Sequence, residues 1–291
     1  MADCATWPSA SREHSGYPHP MNRIADKVAR GEKTDTAQLL GRAGMACYAL
    51  VHLILAYLAV RVAFGAGGQP DQKGALQEVG STALGQVVLW VLAAGLVAFG
   101  LWQFLMAATG YTWTSGGKRT RKRFGAAARG IVVLAIGATA FRLAAGTGGG
   151  GSSDQTQQEF TAKLLQLPAG PALVVAVAAV VLGVAVAAGV KGVKQTFLED
   201  LDLTGLPGKT RRWVGRLGST GYLAKAVVFA VTAFLLGFAG FRSDAKRAGG
   251  LDASLKTLAA QPFGAVLLTV VAFGLAAFGV YCLAAAWAHR R

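Results

Sequence analysis

The chain has 291 residues, of which 53% are hydrophobic and 15% charged, and its formal net charge is +15 at neutral pH. An ordinary soluble domain is about 25% charged, and here the charges sit between long apolar runs. A strongly basic chain raises nucleic acid as a partner. This spacing instead excludes a soluble nucleic-acid binder, a secreted disulfide scaffold and a disordered chain, and it points to a lipid bilayer.

Residues 1–36 are polar and rich in Pro, Ser and charge, with no apolar stretch of signal-peptide type. They predict a disordered cytoplasmic N-terminal tail. The stretch before Met21 has no periodicity, which leaves Met21 as an alternative start to Met1. Six apolar runs follow, at 45–64, 84–109, 127–145, 168–190, 222–241 and 263–288. Each can cross a hydrocarbon core of about 30 Å at about 1.5 Å per residue. None contains Asp or Glu, and the second, fourth and sixth contain no charged residue. The odd-numbered runs carry Arg61, Arg129, Arg142 and Lys225, read as near the run ends and snorkelling to the interface. Cys4, Cys47 and Cys282 have no close spacing, and no zinc-like cluster exists.

Loop charge sets orientation. The tail before the first run, the loop 112–124 (Lys118, Arg119, Arg121, Lys122, Arg123), the loop 198–211 with its flanks (Lys191, Lys194, Lys209, Arg211, Arg212, Arg216) and the terminal Arg290-Arg291 are all basic-rich. Both termini are therefore expected in the cytoplasm. Arg242, Lys246, Arg247 and Lys256 make the last outer loop the weak point of that assignment. The basic loop KRTRKR either binds anionic lipid headgroups or only fixes topology. Trp90, Trp102, Trp113 and Trp287 read as interface or packing aromatics.

The sequence repeats itself. Residues 85–100 (GQVVLWVLAAGLVAFG) align with 264–279 (GAVLLTVVAFGLAAFG), matching Gly95 to Gly274, Leu96 to Leu275, Ala98 to Ala277 and Phe99 to Phe278. Gly44, Gly125 and Gly221 share a column in the first arms, as do Phe64, Ala145 and Phe241. Arg61 and Arg142 share another, opposite Phe238. The middle copy is degenerate in its second arm, with Val180 for the glycine and Val184 for the Phe. The unit is a two-helix hairpin, repeated over 37–111, 125–197 and 212–289. The fold class is an all-α integral membrane protein of six helices, built as three tandem parallel hairpins in a pseudo-threefold bundle. Gly44, Gly95, Gly100, Gly125, Gly221, Gly274 and Gly279 are expected helix-packing positions, where a missing side chain lets backbones approach. Between the arms lie 75–79, 160–165 and 254–258, read either as amphipathic helical turns on the outer surface or as ordinary loops. Residues 148–151 form a glycine linker.

These residues resemble the bacterial membrane family called domain of unknown function 1206. Its units begin with Gly-aromatic-x-Ala-Arg-Gly, carry Ala-Leu in the loop and Gln-Pro-Phe-Gly before the second arm, and continue with Ala-x-Gly-Leu-x-Ala-aromatic-Gly. The third unit matches through Gly221-Tyr222-Leu223-Ala224-Lys225, Gln261-Pro262-Phe263-Gly264 and Gly274 to Gly279. The first keeps Ala75-Leu76 and Gly95 to Gly100, with Ala83-Leu84-Gly85 for Pro-Phe-Gly. The second keeps Ala128-Arg129-Gly130 and little of its second arm. The resemblance covers about 37–289 and implies no activity.

Chemistry is sparse. No nucleophile elbow, phosphate loop or metalloprotease motif occurs, so the chain reads as neither an enzyme nor a cofactor protein. Mitochondrial-carrier signatures are excluded because no odd-numbered run contains a proline. His52, beside Tyr48 and Cys47, is read either as a proton or ligand contact or as a helix-interface His bonded to a neighbouring backbone carbonyl. Arg61 and Arg142 form either an anion-attracting pair at the outer mouth or two snorkelling side chains. The expected function is a non-catalytic membrane scaffold or interaction protein. The alternative is a passive or weakly coupled pore or transporter for a small solute, along an axis lined by groups such as Gln86, Gln103, Thr139, Thr232 or Thr269.

Overall fold

The structure is a computed structural model that describes residues 35–66, 68–82, 84–111, 115–147, 153–201 and 207–288. The expected tail lies outside the described residues except for its last two, as do the glycine run 148–151, Trp113 and Arg290-Arg291. Among the described residues there are nine α-helices and no β-strand. They are α1 (Asp35–Ala63), α2 (Gln72–Gly80), α3 (Gly85–Thr109), α4 (Gly116–Ala144), α5 (Ser153–Leu165), α6 (Gly170–Lys194), α7 (Gly208–Arg242), α8 (Leu251–Ala259) and α9 (Gly264–Ala288). Short 3-10 turns occupy Thr196–Asp200 and Ala245–Arg247. Six helices, α1, α3, α4, α6, α7 and α9, are long and apolar enough to cross a membrane.

Three helices begin earlier than the apolar runs suggest, α1 at Asp35 among them. α4 starts at Gly116 and α7 at Gly208, so most of the segment 112–124 and the last residues of 198–211 are helical rather than loop. Hydropathy detects only the lipid-crossing stretch of a helix, whereas Lys and Arg propagate helix readily beyond it. The segments between the arms are helices too. α2 and α8 are packed inward, with Leu76 and Leu255 fully buried, whereas Phe160 of α5 is exposed.

Each short helix hands the chain to a long one through the same turn. Gly85, Gly170 and Gly264 donate to the carbonyls of Thr82, Leu167 and Gln261 at 2.9, 2.8 and 2.7 Å. A Cβ on these glycines would lie 2.9 Å from Val79 C, 2.6 Å from Leu164 O and 2.8 Å from Leu258 O, so no side chain fits there. Ala169 and Phe263 precede two of them with φ of 59° and 60°, the left-handed conformation that lets the chain reverse sharply.

The long helices pack in the spatial order α4, α3, α1, α9, α7, α6. α4 and α6, the two arms of the middle unit, stand at the ends of this series and are not packed on one another. Glycines explain both facts. A Cβ on Gly44 of α1 would sit 2.5 Å from Phe99 Cβ and overlap the Gly95 carbonyl of α3, while Gly221 of α7 brings a Cβ to 2.6 Å from Phe278 Cβ in α9. Gly274 meets Ala224 in the same seam, and Gly95 meets Cys47. Gly100 abuts Leu134 of α4, and Gly279 abuts Leu53 of α1. Gly125 differs from the expectation: only the Arg129 guanidinium of its own helix comes near, at 3.9 Å, and the close approach to α3 is made by Gly130. The matching glycine of the second arm is missing, because Val180 stands in that column of α6 and is 68% exposed.

Polar ties hold the ends of the middle unit. Asp154 of α5 accepts the Gly250 N–H at 2.7 Å, and Gln158 donates to the carbonyls of Lys246 and Ala248 at 3.2 Å. At the opposite end, Lys122 of α4 pairs with Asp200 at 2.6 Å and Lys118 with Glu199 at 2.9 Å, joining α4 to the 3-10 turn after α6.

Candidate functional site: a cation–aromatic cluster between the long helices

The sequence around 222 reads as the start of an apolar run, which put Lys225 at an interface. α7 begins at Gly208, so Lys225 lies midway along a 35-residue helix while remaining the fourth residue of its apolar run. Its side chain points inward. Nζ is 3.3 Å from the Tyr48 hydroxyl and 3.4 Å from His52 Nε2, both on α1. It also sits 3.9 Å from the centroid of the Phe278 ring on α9, within the range of cation–π attraction. Lys225 therefore does not snorkel.

His52 is 3% exposed. Its Nδ1 is 2.9 Å from the Tyr48 carbonyl. A carbonyl can only accept, so Nδ1 carries the proton and Nε2 presents a lone pair towards Lys225. The backbone partner of His52 is thus four residues earlier in its own helix rather than in a neighbouring one, while the other ring nitrogen faces Lys225. The ring packs edge-on to Tyr48 at 4.4 Å and against Phe278 at 5.0 Å.

A second cation enters from α4. Arg129 donates to the Tyr111 hydroxyl at 3.1 Å, and its charge is felt at Tyr222 and Lys225 of α7 and Lys191 of α6. Its guanidinium reaches a residue just past the end of α3 (Gly85–Thr109). Lys191 lies 6.0 Å from the Tyr222 ring. Tyr222, Phe278, Phe197 and Tyr281 form one aromatic wall, with centroid separations of 5.1–5.4 Å along the chain from Phe278 through Tyr222 and Phe197 to Tyr281. Among the described residues, no carboxylate lies within ion-pair distance of Arg129, Lys191 or Lys225.

Outside the spans, burial raises the Tyr111 phenol above its ordinary range, against the lowering field of Arg129. The hydrogen bond from Lys118 holds the Glu199 carboxyl below its ordinary value. At the other end of the bundle, burial raises the Asp252 carboxyl to about 6, despite Lys256 at 2.9 Å.

The other residues singled out from sequence are elsewhere. Arg61 pairs with Glu78 at 3.0 Å. Arg142 is exposed in the last turn of α4, far along that helix from Arg129. Thr139 and Thr269 bond back to carbonyls of their own helices, Thr232 bonds Ser254 Oγ at 2.7 Å, Gln86 donates to the Ala144 carbonyl, and Gln103 is buried. The sequence held one signal for the cluster that a span-by-span reading passes over. The fourth residue after each column glycine is Tyr48, Arg129 or Lys225, one from each unit, and the fold brings these three together.

A family model described as Domain of Unknown Function (DUF1206) matches the chain three times, over residues 43–110, 124–195 and 220–289. Among curated proteins, the chain is 29% identical over 244 residues to "Uncharacterized protein YxxB" of Bacillus subtilis (strain 168), covering 84% of this chain and 88% of that relative. No solved structure matches.

Proposed function

We propose that this chain, which belongs to the DUF1206 family of three-repeat membrane proteins, is a small-solute transporter whose solute contacts the Lys225–His52–Tyr48 cluster. The observation that carries this reading is Lys225 itself. An ionisable side chain turned into the interior of a membrane bundle is costly and marks a substrate or proton path by default. A scaffold gains nothing from a mid-helix ammonium with no carboxylate beside it, and glycine-lined seams alone would hold the helices together.

The three hairpins run parallel about a pseudo-threefold axis in this reading. Two equivalences support it. Gly100 meets Leu134 and the Gly130 carbonyl, while Gly279 meets Leu53 and the Ala49 carbonyl, and these partners occupy the same repeat positions. Tyr48, Arg129 and Lys225 likewise share one position and one interior. The basic end, with both termini, faces the cytoplasm of a bacterial inner membrane by the positive-inside bias. The weak loop favours this more than its raw count suggests, because Arg247 and Lys256 are paired with Asp244 and Asp252. Anionic headgroups at that face are the expected lipid partners of the basic segment.

Purified protein in proteoliposomes, screened by solid-supported-membrane currents and tracer flux with a panel of small anions, cations and neutral solutes, tests the function. Flux above protein-free vesicles that is lost in Lys225→Gln is the expected result. Background flux for the whole panel would return the chain to the scaffold reading. Reporter fusions after Lys122 and after Ser152 should report opposite sides, the former cytoplasmic.

A further inference from the structure

The interior of the bundle has the wrong charge for a proton-carboxylate device and the right one for an acid ligand. Arg129, Lys191 and Lys225 come from three different long helices, and their direct contacts are neutral: the Tyr111 hydroxyl, the Tyr222 ring, and Tyr48, His52 and Phe278; the Asp200 carboxylate, paired with Lys122, reaches Arg129 and Lys191 only through its field. All three residues are of intermediate exposure, none of them sealed off along its whole length. Desolvated cations are stabilised by opposite charge or by hydrogen-bond acceptors. The phenols, imidazole and aromatic faces offer only some of that. An oxyanion would supply the missing opposite charge through charge-assisted hydrogen bonds, and Arg129, whose field reaches both Lys191 and Lys225, is the centre of the group.

The second observation concerns access. Two of the three hairpins are closed by glycine contacts, Gly44 on α3 and Gly221 on α9. The middle hairpin is not. α4 and α6 are unpacked, Gly125 has open space around it, and Val180 replaces the glycine that would have closed the seam. Ion pairs of Lys118 and Lys122 with Glu199 and Asp200 bridge one end of this seam, and Phe197 and Leu201 are buried behind them. What stays open is the flank along the membrane, between exposed apolar residues such as Ile131 and Val132 on α4 and Val180 and Val184 on α6. Arg129 and Lys191 belong to the two helices that border that flank. A ligand entering there comes from the bilayer, and it meets cations at one end and the Tyr222–Phe278 wall beside them.

We infer that the site takes an anionic amphiphile, a carboxylate or phosphate head on an apolar chain, which enters sideways through the α4–α6 seam and places its head between Arg129, Lys191 and Lys225. This rests on reading the Lys225 cluster as a solute site and names the class of solute.

The test is binding, measured apart from flux. Purified full-length protein in a neutral detergent is titrated with oleate and with dioleoyl phosphatidic acid, and thermal unfolding and the mass of bound lipid are followed. Acetate and inorganic phosphate form the water-soluble arm; oleyl alcohol and phosphatidylcholine form the uncharged-head arm. Both anionic amphiphiles should stabilise the protein and co-purify with it. Lys225→Gln and Arg129→Gln should each weaken binding about tenfold or more, the effect of losing one charge-assisted contact, while Lys209→Gln at an exposed position keeps it. Gly125→Phe, which has room to fold, should block entry without removing a charge. Equal binding of the uncharged amphiphiles, equal binding by all variants, or equally tight binding of acetate and phosphate would each overturn the inference. Amphiphile binding without flux of any solute would end the transporter reading and leave this site standing. Flux of another solute by a protein that binds no anionic amphiphile would do the reverse.

Discussion

The first and third units close on themselves; the middle one does not. In the outer pair, a glycine in the first arm lies against the second arm so closely that a methyl group would not fit. In the middle unit the equivalent glycine, Gly125, faces almost nothing, and valines stand where the other second arms carry glycine and Phe. Lipid is as apolar as Leu or Val, so helices in a bilayer are held by close packing rather than by exclusion from water. Losing one glycine from a seam is therefore enough to separate a pair of helices. The middle unit is then retained by its neighbours, through α3–α4 and α6–α7 packing, and by polar ties at its two ends.

That contrast can be broken most sharply at the column glycines. Gly44→Leu and Gly221→Leu should each cost about 3 kcal/mol or more, through overpacking against backbone, and should abolish the monodisperse peak in size-exclusion chromatography. Gly125→Leu should leave thermal unfolding within about 0.5 kcal/mol of the parent. Equal damage at all three positions would mean that the α4–α6 seam is packed after all. Next in size is the tie from α5 to the third unit. Asp154→Ala leaves the Gly250 N–H without its acceptor and should cost about 1–2 kcal/mol, with faster hydrogen exchange confined to α5 and the 248–254 stretch.

A smaller effect belongs to Asp252. Its carboxyl is raised to about 6 by burial, against an ordinary value of about 4 in the unfolded chain. The folded state then binds the extra proton between those values, so this residue's contribution falls as pH rises through 6. Lys256, Asp154 and Asp71 are the charged groups whose fields it feels. Thermal stability should be higher at pH 5 than at pH 7.5 by an Asp252-dependent increment, and Asp252→Asn should flatten that slope. A steeper slope in the variant would reverse the sign of this effect. The smallest change is expected from Glu199→Gln. The ion pairs it makes are partly exposed, so the loss should stay under about 1 kcal/mol. Its readout is kinetic: a cysteine placed at 125 should react faster with a maleimide in the variant, because one strap of the seam has been cut.

Much of the fold was legible without coordinates. Acid-free apolar runs of 19 to 26 residues have one stable solution in a bilayer, the helix, since every backbone group must bond within its own segment. The aligned glycines and Phe-Gly pairs revealed the repeat, and the repeat set the order of hairpins. The short helices were half visible: Leu76 and Leu255 stand at helical spacing from other apolar residues, but windows so short do not distinguish a helix from a loop. Lys225 was placed by its sequence near the start of an apolar run, and only the structure shows its side chain turned onto Tyr48, His52 and Phe278. A hydropathy window ends where charge begins, and the basic turns 208–216 extended α7 without extending its apolar run. His52 was picked out correctly as the odd polar group of the first span, yet its partner Lys225 lies 173 residues further along the chain.

By itself, then, the sequence determined that the chain holds six long apolar segments in three copies of one two-helix unit, because hydropathy and self-similarity are local properties that survive in any arrangement of the helices. Only the tertiary structure decided which faces meet. It turned Tyr48, Arg129 and Lys225 from three equivalent positions into one interior, and it left the α4–α6 seam open. Both outcomes depend on packing at single residues, where one glycine or its absence sets whether two backbones touch.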